Sequence, residues 1–91
     1  MLRSDGRTTR LTATGDVFGG PARLVHINYI ANGVAGEIVV RDGGPAGEIL
    51  VSVATPADES MNSVNLPVPI RFRQKPHATL TNVVSATFVY V

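Results

Sequence analysis

The chain has 91 residues, the length of a single domain, and its formal net charge is only +1. Hydrophobic residues make up 44% of it and charged residues 16%, which excludes an intrinsically disordered chain. The small net charge excludes a nucleic-acid-binding domain that must neutralise a run of phosphates. Because cysteine is absent, disulfides, thiolate nucleophiles and cysteine-ligated zinc are excluded too. We also predict no signal peptide and no membrane-spanning segment, since no apolar stretch is long enough.

Residues Met1–Arg10 have the composition of a flexible arm. They include three arginines and one aspartate, and they show no periodic apolar residues after Leu2. Ordering such a segment costs conformational entropy that little apolar burial can offset. We therefore predict an arm over residues 1–10 that is mobile in the free protein and orders against a partner. A single domain follows over residues 11–91.

From Leu11 onward the sequence has the pattern of an all-β protein. Short runs rich in β-branched residues are separated by Gly, Pro, Asn or Asp, and no helical period occurs. The longest candidate strand is Ala22–Ala31, which has no uniformly polar face and is therefore predicted to be central or to contact a second body. The motif Ala35–Val40 recurs as Ala46–Val51. Asp42-Gly43 lies between the copies and favours a tight turn, so we predict one hairpin.

The segment Val64–Phe72 alternates strictly between apolar and polar residues, which predicts a half-buried strand. Pro67 and Pro69 cannot donate backbone hydrogen bonds, so this strand must lie at a sheet edge or bend into two pieces. The segments His77–Thr81 and Ala86–Val91 complete the predicted strands.

These patterns together predict an antiparallel, jelly-roll-like β-sandwich of about seven or eight short strands. Its predicted core consists of Val25, Ile27, Tyr29, Ile38, Val40, Ile49, Val51, Val64, Leu66, Val68, Ile70, Leu80, Phe88 and Tyr90.

Few residues have the spacing that chemistry requires. The segment Gly15–Gly20 lacks the Gly-Lys-Ser/Thr ending of a phosphate-binding loop and leads into a strand, so we predict an ordinary loop. Asp42 has no spaced carboxylate partner for calcium, which takes about six to eight oxygen ligands, and is predicted to be a turn residue. His26 and His77 have no His or Cys at metal-ligand spacing and are predicted to pack in a strand and to cap a turn, respectively. We predict no catalytic residue, no cofactor and no metal ion.

Cations and outward-facing valines are the candidate interface residues. Seven of the eight cations are arginine, which pairs well with carboxylates at protein interfaces. The alternative is that these charges are solvated and keep an edge strand soluble. Val89 and Val91 share the outward parity of the last strand, which predicts a subunit contact. The predicted interface residues are Arg3, Arg7, Arg10, Arg71, Arg73, Lys75, Val89 and Val91.

The stretch Ala22–Val91 resembles a group of small proteins that tailed bacteriophages encode beside capsid and tail genes. The similarity is carried by Ile27-Asn28-Tyr29-Ile30, by Glu37–Leu50, by Ala54-Thr55-Pro56 and by His77–Val83 before an aromatic β end. The resemblance implies a non-enzymatic virion structural protein, either a capsid decoration (cement) protein or a small tail accessory. It implies a location on the capsid surface after synthesis in the host cytoplasm. The implied partners are the major capsid protein or another virion protein, and further copies of the chain, with a trimer favoured by analogy.

A ligand-binding module is the alternative from a different functional class. A carbohydrate- or receptor-binding part of a tail or fibre would have the same fold class. Sugar-binding surfaces usually display aromatic rings, however, and this sequence has no Trp and two Tyr. Neighbouring genes for a capsid protein and a portal favour the virion role, whereas neighbouring genes for sugar-processing enzymes favour the binding module.

Overall fold

The structure is a computed structural model that describes residues 7–91, and these residues form eight β-strands and no helix. The strands are β1 (Arg7–Leu11), β2 (Gly15–Asp16), β3 (Ala22–Ala31), β4 (Gly36–Asp42), β5 (Glu48–Thr55), β6 (Met61–Phe72), β7 (Pro76–Thr81) and β8 (Val83–Tyr90). The all-β prediction is confirmed. Within residues 7–91 there is accordingly no helix long and apolar enough to cross a membrane.

The strands form two four-stranded antiparallel sheets. Sheet A has the order β1-β8-β3-β6, and sheet B has the order β2-β7-β4-β5. Strand β1 pairs with β8, β2 with β7, β3 with β6 and β4 with β5, so the pairs are nested around the β4–β5 hairpin. An eight-stranded double sheet with this order is a jelly roll, as the sequence predicted.

The core lies between the sheets and contains alternate residues of both. The predicted core residues that are buried are Ile27, Tyr29, Ile38, Val40, Val51, Phe88 and Tyr90. Four further predicted residues pack against this core while partly buried, namely Val64, Leu66, Ile70 and Leu80. The prediction omitted Leu24 and Phe72, which are both 0% exposed.

The prediction that Val25 belongs to the core is wrong because β3 contains a bulge. The register of β3 against β8 shifts between Leu24 and His26, where β3 advances two residues while β8 advances one. A bulge reverses the facing of the residues beyond it. Leu24 is therefore fully buried and Val25 only half-buried.

Ile49 and Val68 are also outside the core because their strands are irregular. The pairing of β5 with β4 shifts next to Val40, and Ile49 is 50% exposed. Between the pairs Leu24–Ile70 and His26–Asn65, β6 has four residues where β3 has one. Val68 lies in this segment of β6 and is 67% exposed. The same unpaired segment contains Pro67 and Pro69. Strand β6 is an edge strand and its pairing is interrupted there, which confirms the prediction made from the prolines.

The predicted boundary of the N-terminal arm needs correction. Residues Arg7–Leu11 form β1, in continuous register with β8. The Thr9 Oγ1 atom lies 2.8 Å from the Tyr90 hydroxyl, and Leu11 packs against the core. Pairing with a distant strand satisfies the backbone groups of this segment, although its own apolar content is low. Residues 1–6 of the predicted arm lie outside the described residues.

The predicted hairpin is confirmed. Strands β4 and β5 pair from Gly36 opposite Thr55 to Asp42 opposite Glu48. Gly43 and Gly44 have φ values of 103° and 128°, a region that residues with a Cβ avoid. The Asp-Gly-Gly sequence thus provides the conformational freedom that this turn requires.

Candidate functional site

The candidate functional site is the outward-facing side of sheet A, which we call the basic face. In β3 and β6, Arg23 and Arg71 alternate with the buried residues Leu24 and Phe72, so both arginines face outward. Arg10 of β1 is exposed and lines a groove on the same face. The face extends across all four strands of sheet A.

A row of polar residues crosses the middle of the basic face. Arg10 lies opposite Thr87, Thr87 opposite Asn28, and Asn28 opposite Ser63. The Ser63 hydroxyl donates to the Asn28 Oδ1 atom at 2.6 Å, and the His26 Nε2 atom lies 2.8 Å from the same oxygen. These contacts hold the Asn28 amide in one orientation across neighbouring strands.

The row forms the floor of an open groove of about 540 Å³. Its lining includes the polar residues of the row together with the apolar side chains of Ile30 and Met61. Met61 is 80% exposed. The groove therefore combines hydrogen-bonding groups, one guanidinium and an apolar wall, the mixture that binding sites for polar ligands show.

A second feature of the basic face is a pair of facing arginines at the end of the sheet. Arg23 lies directly opposite Arg71, and the backbone of Arg23 makes two 2.9 Å hydrogen bonds with Val91. Together with Phe72 these residues line a smaller pocket of about 180 Å³. Like charges directly opposite each other across strands are destabilising. No carboxylate of residues 7–91 forms an ion pair with either arginine, so an acidic group on a partner would relieve the repulsion.

The two sheets carry opposite charges. The strands of sheet A contain four arginines and no Asp or Glu, namely Arg7, Arg10, Arg23 and Arg71. The strands of sheet B contain one arginine and four carboxylates, namely Arg41 with Asp16, Glu37, Asp42 and Glu48. The net charge of +1 thus conceals an uneven distribution of charge between the strands of the two sheets, although Lys75 pairs with Asp16 and Arg73 lies near Asp42. Such a distribution orients a protein as it approaches a charged partner.

The structure brings together four of the predicted interface residues. Arg10 and Arg71 lie on the basic face, as does the half-buried Val89, which is paired with Thr8 and His26. Val91 is 45% exposed beside Arg23.

The other predicted interface residues lie elsewhere. Arg7 packs its guanidinium 5.2 Å from the centre of the Phe18 ring. Arg73 is exposed in the β6–β7 turn, and the Lys75 ammonium is 3.1 Å from the Asp16 carboxylate. Arg3 lies outside the described residues.

Sequence reasoning missed most of the polar row and Arg23. Before the bulge the odd-numbered residue Arg23 faces outward, and after it the even-numbered residues His26 and Asn28 do. A strict period of two therefore cannot place these three side chains on one face. The Gly and Pro residues that precede β3 in the sequence do not predict the bulge.

His77 belongs to a separate polar cluster on sheet B. Its Nδ1 atom is 2.8 Å from the Asp16 Oδ1 atom, and the residue is 8% exposed. The hydrogen bond from His77, aided by that from Lys75, lowers the pKa of Asp16 below its usual value. The buried His77 Nε2 atom has no hydrogen-bond partner among the described residues. The hydrogen bond between Asp16 and His77 ties β2 to β7, whereas the sequence predicted that His77 caps a turn.

Asp42 has a structural role at the end of its strand. Its carboxylate accepts backbone hydrogen bonds from Arg73, Gln74 and Lys75, at 3.1, 2.9 and 3.2 Å. Desolvation opposes ionisation, but these three donors outweigh it and lower the pKa of Asp42. The side chain thus fastens the β4–β5 hairpin to the β6–β7 turn. Residues 7–91 contain no group of three or more His, Cys, Asp or Glu side chains that could hold a metal ion.

Comparison of the chain with protein-family models, with curated proteins and with solved structures finds no match.

Proposed function

We propose that this protein is a non-enzymatic structural protein of a tailed-phage virion. Its proposed role is that of a capsid decoration protein, which binds the major capsid protein or another virion protein on the capsid surface. The observation that carries the proposal is the basic face, where Arg10, Arg23 and Arg71 occur without any carboxylate from the strands of sheet A.

The basic face has the properties of a docking surface for an acidic protein. Arginine binds carboxylates in two-pronged geometry and loses little hydration in doing so. Arg23 and Arg71 are exposed and face each other, so a carboxylate placed between them would gain two partners and remove a repulsion. The neighbouring Val91 adds an exposed apolar contact.

The fold is compatible with this role. Jelly rolls occur in viral capsid domains, although they also occur in lectins and cupins, so the fold alone does not distinguish these functions. The resemblance of Ala22–Val91 to small phage proteins favours the first of them.

Binding to purified particles of the phage that encodes the chain tests the proposal. The wild-type protein should sediment with the particles, and added salt should weaken the binding. The double variant Arg23→Glu/Arg71→Glu should bind roughly thirtyfold more weakly or worse, because an arginine pair that an interface buries contributes about 2 kcal/mol or more. Glu37→Lys, a charge reversal on the exposed side of sheet B, is the control and should bind normally.

Two results would overturn the proposal. One is a wild-type protein that does not sediment with the particles at low salt. The other is a double variant that binds as well as the wild type while its thermal unfolding is unchanged.

A second candidate function is carbohydrate or receptor binding, and the groove on the basic face favours it. Asn28, Ser63 and Thr87 offer hydroxyl and amide groups, and Arg10 offers a cation, on one rigid surface. Titration with neutral and acidic oligosaccharides tests this candidate. It is followed through the side-chain amide NMR signals of Asn28 and of Asn65, whose Oδ1 atom lies 3.2 Å from the His26 Nδ1 atom. Shifts that saturate, and that Asn28→Ala abolishes without affecting particle binding, would support it. An absence of shifts would exclude it for the sugars used.

A further inference from the structure

The two sheets have four edge strands, and three of them carry features that prevent the addition of another strand. Strand β6 contains Pro67 and Pro69 and has interrupted pairing. Strand β2 is only two residues long, and β1 carries Arg7 and Arg10 among its five residues. Short strands, prolines and charges are the means by which proteins protect sheet edges.

Strand β5 is the exception. It has eight residues, no proline and a single charged residue, Glu48, at its start. Its register irregularity lies at the Glu48 end, whereas Val51–Thr55 pair with β4 in unbroken register. No backbone group of β5 bonds to any described residue outside β4. Among residues 7–91, no strand therefore pairs with the second side of this regular five-residue segment.

We infer that β5 is the interface of a homodimer, in which β5 of one copy pairs antiparallel with β5 of a second copy. The inference does not depend on the proposed function. It replaces the trimer expected from the resemblance with a twofold assembly, because antiparallel pairing of identical strands generates a twofold axis. Sheet B of the two copies would become one eight-stranded sheet.

The regular part of β5 is self-complementary in this arrangement. With the twofold axis at Val53, the outward-facing Ser52 lies opposite Ala54 of the second copy. The inward-facing Val51 lies opposite Thr55 in the same way. Glu48, the one charged residue of the strand, falls outside the paired segment. Half-buried Val53 would gain the symmetry-related valine as a neighbour, which extends the apolar layer between the sheets.

A second copy is a better occupant than a strand of an unrelated protein. Pairing of β5 with itself buries no charge, and the strand has no side chain that would select a different sequence. An unrelated strand remains an outcome of the test, since it would leave the purified chain monomeric.

Charge variants on the outward side of β5 test the dimer. Ser52 and Ala54 are both exposed, so replacing them should not disturb the fold. In the double variant Ser52→Lys/Ala54→Lys, two pairs of lysines would face each other across the interface. The variant should dimerise at least about tenfold more weakly than the wild type in sedimentation experiments. The double variant Ser52→Glu/Ala54→Glu should behave in the same way.

Mixing the two variants provides the decisive measurement. Each lysine would then face a glutamate, so the mixture should form a heterodimer whereas each variant alone remains largely monomeric. Thr8→Lys, an exposed substitution on edge strand β1, is the control and should dimerise like the wild type.

Three results would overturn the inference. The first is a wild-type chain that stays monomeric at the highest concentration reached. The second is a dimer that both double variants form as well as the wild type. The third is a mixture that shows no more association than its two components, with folding verified by circular dichroism.

Discussion

The bulge in β3 makes a strong prediction about two adjacent residues. Leu24 is fully buried and Val25 is half-buried, although strict alternation from the sequence gives the reverse. Replacing a buried leucine with alanine removes its transfer free energy and leaves a cavity, at a cost of roughly 2–5 kcal/mol. Leu24 lies opposite both Tyr90 and Ile70, in strands on either side, so the cavity cannot easily collapse. We expect Leu24→Ala to cost about 3 kcal/mol.

Val25→Ala is the matched comparison. It removes a smaller side chain from a half-exposed site, so we expect a loss of about 1 kcal/mol or less. A 91-residue domain has a total stability of roughly 5–14 kcal/mol, so the two variants should be clearly separable. The expected fall in Tm for Leu24→Ala is on the order of 12 °C or more.

Urea unfolding followed by circular dichroism measures both values. The slope of the free energy against urea should stay constant, so that a change in midpoint reports stability. Equal losses for the two variants, or a larger loss for Val25→Ala, would show that β3 has no bulge and that the basic face is assigned to the wrong residues.

Three further predictions concern other parts of the fold. Because the pKa of Asp42 is lowered in the folded state, its contribution to stability is present above its unfolded pKa of about 3.8 and is lost as the pH falls through the folded pKa. The urea midpoint of Asp42→Asn should therefore change less with pH in acid than that of the wild type, and an unchanged profile would contradict this. A Cβ at Gly36 would lie 1.9 Å from the Thr81 carbonyl oxygen, so Gly36→Ala should lower the Tm strongly, whereas Gly19→Ala, with no atom within 4 Å, should leave it almost unchanged. Deletion of residues 1–11 should lower the Tm because β8 loses its pairing with β1. A Tm equal to that of the full chain would show that this segment is mobile, as the sequence predicted for the arm.

The fold was predictable where local chemistry determines the backbone. The prolines at 67 and 69 have no backbone donor, and that fact alone limits β6 to a sheet edge or to a strand that bends into two pieces. Gly43 and Gly44 have the positive φ values that a tight turn requires, so the Asp42-Gly43-Gly44 sequence predicts the hairpin of β4 and β5. These features depend on residues close together in the sequence.

The remaining features depend on pairing between distant strands. The bulge at Val25 exists only with respect to β8, and β1 is a strand only because β8 lies beside it. The basic face is hidden for the same reason, since Arg10, Arg23 and Arg71 come together only when β1, β3 and β6 enter the same sheet. The composition indicates a nearly neutral chain because it sums the charges of both sheets.

The nested order of the strand pairs also constrains how the chain reaches its native state. The β4–β5 hairpin closes a turn of a few residues, but each pair outside it closes a longer loop, and β1 meets β8 only after nearly the whole chain has been brought together. Loop closure costs entropy before distant contacts compensate for it. We therefore expect folding in milliseconds to seconds, as for other all-β domains with distant pairings. During synthesis β3 can pair with β6 as soon as β6 has emerged, but β1 has no partner in sheet A until β8, the strand that joins it to β3, has emerged.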